Sequence, residues 1–284
     1  MTNNSEYKDI YEVKSIQDLL TVLNQIGIRE GNNILWFRGQ NSADWLLQPG
    51  IMRKFKEINP HKSNIIYGPC IPCHDRLLPN YHQMIPLLYK YIKKTDYKAE
   101  NDLEALAFGQ NNLAITPLLD WSEDPLVALF FATNSMQTKE ECPSQSAAMY
   151  VLKPLDFNKN IGVECIPLSS CFTTEKIDKL LWEHSHQWLC FKTPKIGYRI
   201  CRQSGNFLFQ NPQMPLINSE PNLLKNYIYK IIIPYTSIPS ILQELKLLRI
   251  TKQALYGLEP NADAKCLELS QKQIEALEKA IKYI

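Results

Sequence analysis

Thr116-Pro117-Leu118-Leu119-Asp120-Trp121-Ser122-Glu123-Asp124-Pro125-Leu126-Val127-Ala128-Leu129-Phe130-Phe131-Ala132 decides the fold class. The first part is a short segment, apolar until Asp120 and Trp121 emerge from it. Asp124 then reads as a helix cap with Pro125 at the first helical position, where a missing N–H does no harm. A short extended run therefore passes straight into a helix. Outward from here, helices and strands alternate without the regular βαβ spacing of a parallel sheet. The expectation is α+β: a single compact domain over 1–284, with a central mixed or antiparallel sheet flanked by helices.

Upstream, Ser15-Ile16-Gln17-Asp18 opens a helix with Leu19, Leu20, Leu23 and Ile26 as its stripe and Gly27 as its stop. Ile34-Leu35-Trp36-Phe37 is a short β-type run that delivers Arg38 and Gly39. Residues 59–80, rich in Pro, Asn, His and Cys, read as a surface loop. Helices are expected over Met84–Lys93 and Asp102–Gln110. Downstream, Met149–Leu152, Asn206–Phe209 and Tyr227–Ile233 are expected strands, Pro239 begins a helix, and Ser270-Gln271-Lys272-Gln273 caps a terminal helix over 270–284.

Composition removes several function classes. The 284 residues include 31 Lys and Arg against 29 Asp and Glu, a balance unlike that of a protein whose main task is gripping nucleic acid. No Gly-rich phosphate loop, H-E-x-x-H, EF-hand loop or G-x-S-x-G elbow occurs in the sequence. The N-terminus, Met1-Thr2-Asn3-Asn4-Ser5-Glu6, lacks the apolar core of a signal peptide, and apolar runs are short. The protein is expected in the cytoplasm, with no membrane partner and its Cys residues free or buried. Cys70-Ile71-Pro72-Cys73-His74 has the C-x-x-C-H form, but no export signal accompanies it and no second C-x-x-C completes a zinc set; no metal ligand is assigned.

The polar candidates converge from separated segments. A strand ending in Arg38-Gly39 puts a guanidinium at a sheet rim, where glycine lets a ligand or another backbone approach closely. Glu104 to Asn111 reads as a helix whose polar residues gather at its C-terminal end. Trp121 offers a flat face for a ring, or core packing. Arg199-Ile200-Cys201-Arg202-Gln203 sets more guanidiniums before a strand.

Together these pieces resemble the FRG-domain family. Phe37-Arg38-Gly39-Gln40 followed by Trp45-Leu46-Leu47-Gln48-Pro49 is similar to the family's F-R-G-Q and W-x-L-x-P. Its central E-x-L-x-x-x-Q-H-Y-G-L-P-T-R-L-L-D-W-T is matched by Glu104, Leu106, Gln110, Thr116 and Leu118 to Ser122, then Asp124 to Ala132. Arg199, Gln203, Gly205 and Phe207 match a late R-x-x-x-Q-x-G-x-F. Asn111 stands where the family has His, and Pro117 where it has Arg. The resemblance covers about residues 30–265 and implies a bacterial or phage setting, often among defence genes.

Three functions are consistent with these residues. In an ADP-ribosyltransferase-like enzyme acting on NAD, Glu104 or Asp120 would hold the ribose as catalytic acids, and Arg38 would grip phosphate. Trp121 would stack the ring, with Gly39, Gln40, Gln110, Thr116, Arg199 and Gln203 completing the substrate site. The alternative is a non-enzymatic module recognising a nucleotide, nucleic acid or protein. A third is a nuclease using Glu104 and Asp120 with Mg²⁺.

Overall fold

The computed structural model describes residues 7–31, 34–53, 79–112, 115–134, 145–172, 188–194, 198–211, 217 and 221–257, together with 272, 275–276, 279 and 282–283. The loop carrying Cys70, Cys73 and His74 and the capping box at Ser270 lie outside them, apart from Lys272.

A seven-stranded mixed sheet organises the protein. Its strands are β1 (Ile10–Glu12), β2 (Trp36–Gln40), β4 (Leu118–Ser122), β5 (Ala147–Leu152), β6 (Trp188–Phe191), β7 (Gly205–Gln210) and β8 (Ile228–Ile233). They lie in the order β1-β8-β5-β2-β4-β7-β6. The β1–β8 pair is parallel, and the other neighbours are antiparallel. The fold is α+β, as the sequence predicts. Pro79–Asn80 (β3) pairs with Lys282–Tyr283 (β9), so the expected loop ends in a strand, and the expected terminal helix does too.

Helices α1 (Ile16–Glu30), α2 (Ile85–Ile92), α3 (Asp102–Asn111), α4 (Pro125–Thr133), α5 (Pro154–Lys159), α6 (Tyr198–Gln203), α7 (Pro221–Tyr227), α8 (Ile238–Leu247) and α9 (Lys252–Tyr256) surround the sheet. Among them no helix is long and apolar enough to cross a membrane. Two start as read: Ser15 accepts from Asp18 N, and Asp124 accepts from Leu126 N and Val127 N. Gly27 does not stop α1. The helix runs on to Gly31, whose φ of 61° gives the left-handed cap a Cβ would resist.

Both sheet faces are covered, which is why the interior strand β5 is buried at every position. One face packs Trp36, Leu119, Trp121, Tyr150 and Leu208 against Phe157 and Leu224. The other divides. Phe37, Met149, Val151 and Ile231 meet α1, α4 and α8, whereas Leu118, Phe207 and Phe209 meet α2 and α3.

Candidate functional site

The division continues into the sheet itself. Strand β2 forms five register pairs with β5 but pairs with β4 only at Phe37↔Ser122. Beyond that point the two strands part. Arg38 bridges them, its Nη1 donating to the Asp120 carbonyl at 2.7 Å where a ladder bond would otherwise lie. A cavity of about 450 Å³ opens at this gap, a size typical of small-molecule sites.

Gly39 explains how α4 comes so near. A Cβ there would stand 2.0 Å from Ala128 O and 2.4 Å from Ala132 N, both backbone atoms. The close approach expected at this glycine is therefore helix backbone. Asn41 donates to Phe131 O and Ala132 O, holding the other end of the contact.

Arg38 is only 12% exposed, and its Nε is buried with no hydrogen-bond partner. Burial lowers its pKa to about 10, Asp120 opposes the fall and Arg53 adds to it, so the guanidinium still carries its charge at neutral pH. Asp120 Oδ2 lies 3.8 Å from Arg38 Nη1, with its side chain 58% exposed. Gln110 sets its orientation. Leu118 N–H donates to Thr116 Oγ1, the Thr116 hydroxyl donates to Gln110 Oε1, and Gln110 Nε2 donates to Asp120 Oδ2 at 2.8 Å. Thr116 is fully buried and acts on the cavity only through Gln110.

A second guanidinium enters from α6. Arg199 Nη1 donates to Asn111 O at 2.9 Å, its carbon lies 4.9 Å from the centre of the Tyr256 ring, and its Nε is also buried without a partner. Burial raises the pKa of Tyr256, Arg199 opposes the rise and Asp120 adds to it. The chain of neighbours Arg53–Arg38–Asp120–Tyr256–Arg199 thus runs through one lining. Gln203 docks α9 by donating to Leu255 O, while its own carbonyl accepts from Ser122 Oγ. Gln40 donates to Leu46 O, and its Oε1 is buried without a partner.

The structure therefore brings Arg38, Gly39, Gln40, Gln110, Asp120, Arg199 and Gln203 to one cavity. Glu104 is not brought there. It is 2% exposed and accepts from Glu100 N, Ser169 Oγ and Tyr97 OH. Trp121 reaches the cavity's edge, but strand alternation turns its ring away from Asp120. It packs with Trp36, Leu119 and Tyr150, so it offers no stacking face. Trp45, Arg53 and Tyr256 are among the lining residues that had no site role in the sequence reading. Trp45 was visible in W-x-L-x-P, whereas α9 is too short to show a helical period.

What the fold and cavity define is an α+β protein with a cationic hollow at a split in its sheet. Residues 33–141 match the family model for the FRG domain. That span holds β2, α3, β4 and α4, and with them Arg38, Gln110 and Asp120; Arg199 and Tyr256 lie beyond it. No curated protein and no solved structure matches the chain.

Proposed function

We propose that the cavity binds a phosphate-bearing nucleotide, with Arg38 and Arg199 as its anion-gripping groups. The observation that carries this reading is a pair of guanidiniums on one lining, each with a buried Nε–H that no protein acceptor meets. Buried donors are normally paired, and leaving one unmet costs about 1–3 kcal/mol. Arginine's fork also suits phosphate. Among the described lining residues Arg38, Arg53 and Arg199 face a single carboxylate, Asp120, so the hollow favours an anion.

One observation favours turnover as a second reading. Asp120 is exposed, yet it is fixed between Arg38 and the Gln110 amide, a preorganised carboxylate beside a phosphate-gripping cation. With NAD as substrate, Asp120 would steady the ribose as nicotinamide leaves, the ADP-ribosyltransferase-like reading. Glu104 has no part in it, and the metal-assisted nuclease loses its second carboxylate. A bacterial defence or toxin role rests on the family resemblance alone.

Calorimetry with NAD, ADP-ribose and AMP tests the binding. Arg38→Gln and Arg199→Gln should each weaken it roughly 10- to 100-fold, the worth of a charged hydrogen bond. Nicotinamide release from NAD that disappears in Asp120→Asn would establish turnover. Wild-type protein that binds none of the three would end the reading.

A further inference from the structure

We infer that Trp45 is the platform on which the ligand's heteroaromatic base stacks, which assigns the ligand a planar base joined to its phosphate. This rests on the nucleotide reading above and adds a second contact to it.

The ring expected for this task, Trp121, is 2% exposed and packed inside the core, whereas Trp45 lines the cavity with 46% of its surface open. A large exposed aromatic usually needs no explanation when it stands alone. Trp45 does not stand alone. Its segment is clamped: Trp45 N donates to Ser42 O, Trp45 O accepts from Tyr150 OH at 3.2 Å, and Leu46 O accepts from Gln40 Nε2 at 3.2 Å. Tyr150 is also the register partner of Arg38 across β2 and β5. Tyr150 thus ties the tryptophan to β5, and Gln40 ties the next residue to β2, the strand that carries the phosphate-gripping arginine. The backbone is fixed and the ring is left open.

Charge places the anion in the same cavity. Arg53 lies in the same lining, and its positive charge depresses the pKa of Arg38. Like charges held near one another are costly unless an anion comes between them. A phosphate seated there leaves Trp45 to receive the base. Stacking on an aromatic face is worth about 1–3 kcal/mol per base and accepts any base, because each has a π-face. Tyr256 is the less suitable ring, since Arg199 already occupies one of its faces and Phe131 meets it edge-on.

The test compares a ligand with a base against one without. Calorimetry of wild type, Trp45→Ala and Trp45→Phe with AMP and with ribose 5-phosphate separates the two contacts. Trp45→Ala should weaken AMP roughly 5- to 100-fold and leave ribose 5-phosphate unchanged, with Trp45→Phe recovering most of the loss. Equal weakening of both ligands, or of neither, overturns the assignment while leaving the arginine site standing. Wild type that binds neither ligand overturns both readings. A 5′-phosphorylated tetranucleotide run alongside distinguishes a free nucleotide from a strand end; if bound, it should show the same dependence on Trp45. Oligonucleotide binding indifferent to Trp45 counts against the platform. Unchanged thermal melting of both variants is expected, since the ring is half exposed.

Discussion

Glu104 and Asp120 are the two acids that the sequence offers for chemistry, and the fold treats them in opposite ways. Around Glu104 every neighbour closes in. The carboxylate takes hydrogen bonds from Glu100 N at 2.9 Å and Ser169 Oγ at 3.0 Å, with Tyr97 OH at 3.5 Å. Burial, together with the Glu104 charge, pushes the Tyr97 pKa up, so that phenol stays a donor. Around Asp120 one oxygen is held by Gln110 and the rest of the group faces the cavity. Placement alone thus divides carboxylates of similar chemistry into a structural clamp and a reactive candidate. Glu104, buried under its three donors, is closed to a ligand, whereas Asp120 is anchored but exposed.

The largest effect should come from the seam between the closed and open regions. Gly39→Ala drives a methyl into the backbone of α4 at Ala128 and Ala132, and neither atom can rotate aside. Either α4 moves off the sheet or β2 does. A loss of at least about 3 kcal/mol is expected, with the cavity deformed as well. Chemical denaturation reads the first, and nucleotide calorimetry the second. A variant with wild-type stability would show that α4 and β2 do not press together as described.

Glu30 gives the comparison a pH axis. At the end of α1 it is gripped by Lys8 at 2.7 Å and Lys153 at 2.6 Å, and Tyr229 OH donates to it as well. Burial would raise its pKa, but the hydrogen bonds from Lys153, Lys8 and Tyr229 outweigh burial and lower it to about 2. The folded carboxyl therefore binds its proton less tightly than the unfolded one. Its contribution is complete above the ordinary carboxyl range and drains away as pH falls toward the folded value. A shift of that size corresponds to about 3 kcal/mol. Denaturation at pH 7 and at pH about 3 should show the loss, and Glu30→Gln should flatten that part of the profile. An unchanged acid slope in Glu30→Gln would remove Glu30 from the account.

Local signals were the legible ones. Asp124-Pro125 announced α4 because a cap and a first-turn proline act within a few residues, and Phe37-Arg38-Gly39 announced an arginine on a strand. The expected strand end at a sheet rim is corrected, because β2 runs on to Gln40 in the middle of the sheet and Arg38 reaches the cavity through the gap to β4. Facing was not legible on β4. Leu118, Leu119 and Trp121 are all apolar because both sheet faces are buried, so nothing in the pattern says that Trp121 turns away from Asp120. Gly27 misled because a glycine inside a helix looks, in sequence, like one just beyond its end. Glu104 could have been read correctly. Asn101 caps α3 and accepts from Glu104 N, and Glu104 Oε2 reaches back to Glu100 N, a capping arrangement in the Asn-x-x-Glu spacing. The surroundings agree: Leu103, Ala105, Leu106 and Ala107 are buried along with it, leaving α3 no polar face until Gln110.

The smallest effect divides the two acids most cleanly. Glu104→Gln keeps the shape but replaces one acceptor oxygen with a donating amide, so one of Glu100 N–H, Ser169 Oγ–H and Tyr97 O–H must be left unmet or turned around. Charge-assisted bonds become neutral ones at the same time. About 2 kcal/mol of stability should go, with nucleotide affinity unchanged. Asp120→Asn should do the reverse. The group is largely solvated, so stability should move by no more than about 0.5 kcal/mol, while affinity or turnover at the cavity changes because the charge beside Arg38 is gone. Denaturation and calorimetry on the same two proteins decide it. If Glu104→Gln alters ligand binding at native stability, or Asp120→Asn unfolds the chain, then clamp and cavity have been assigned to the wrong acids, and the anion site would have to be rebuilt around α3 rather than around the gap between β2 and β4.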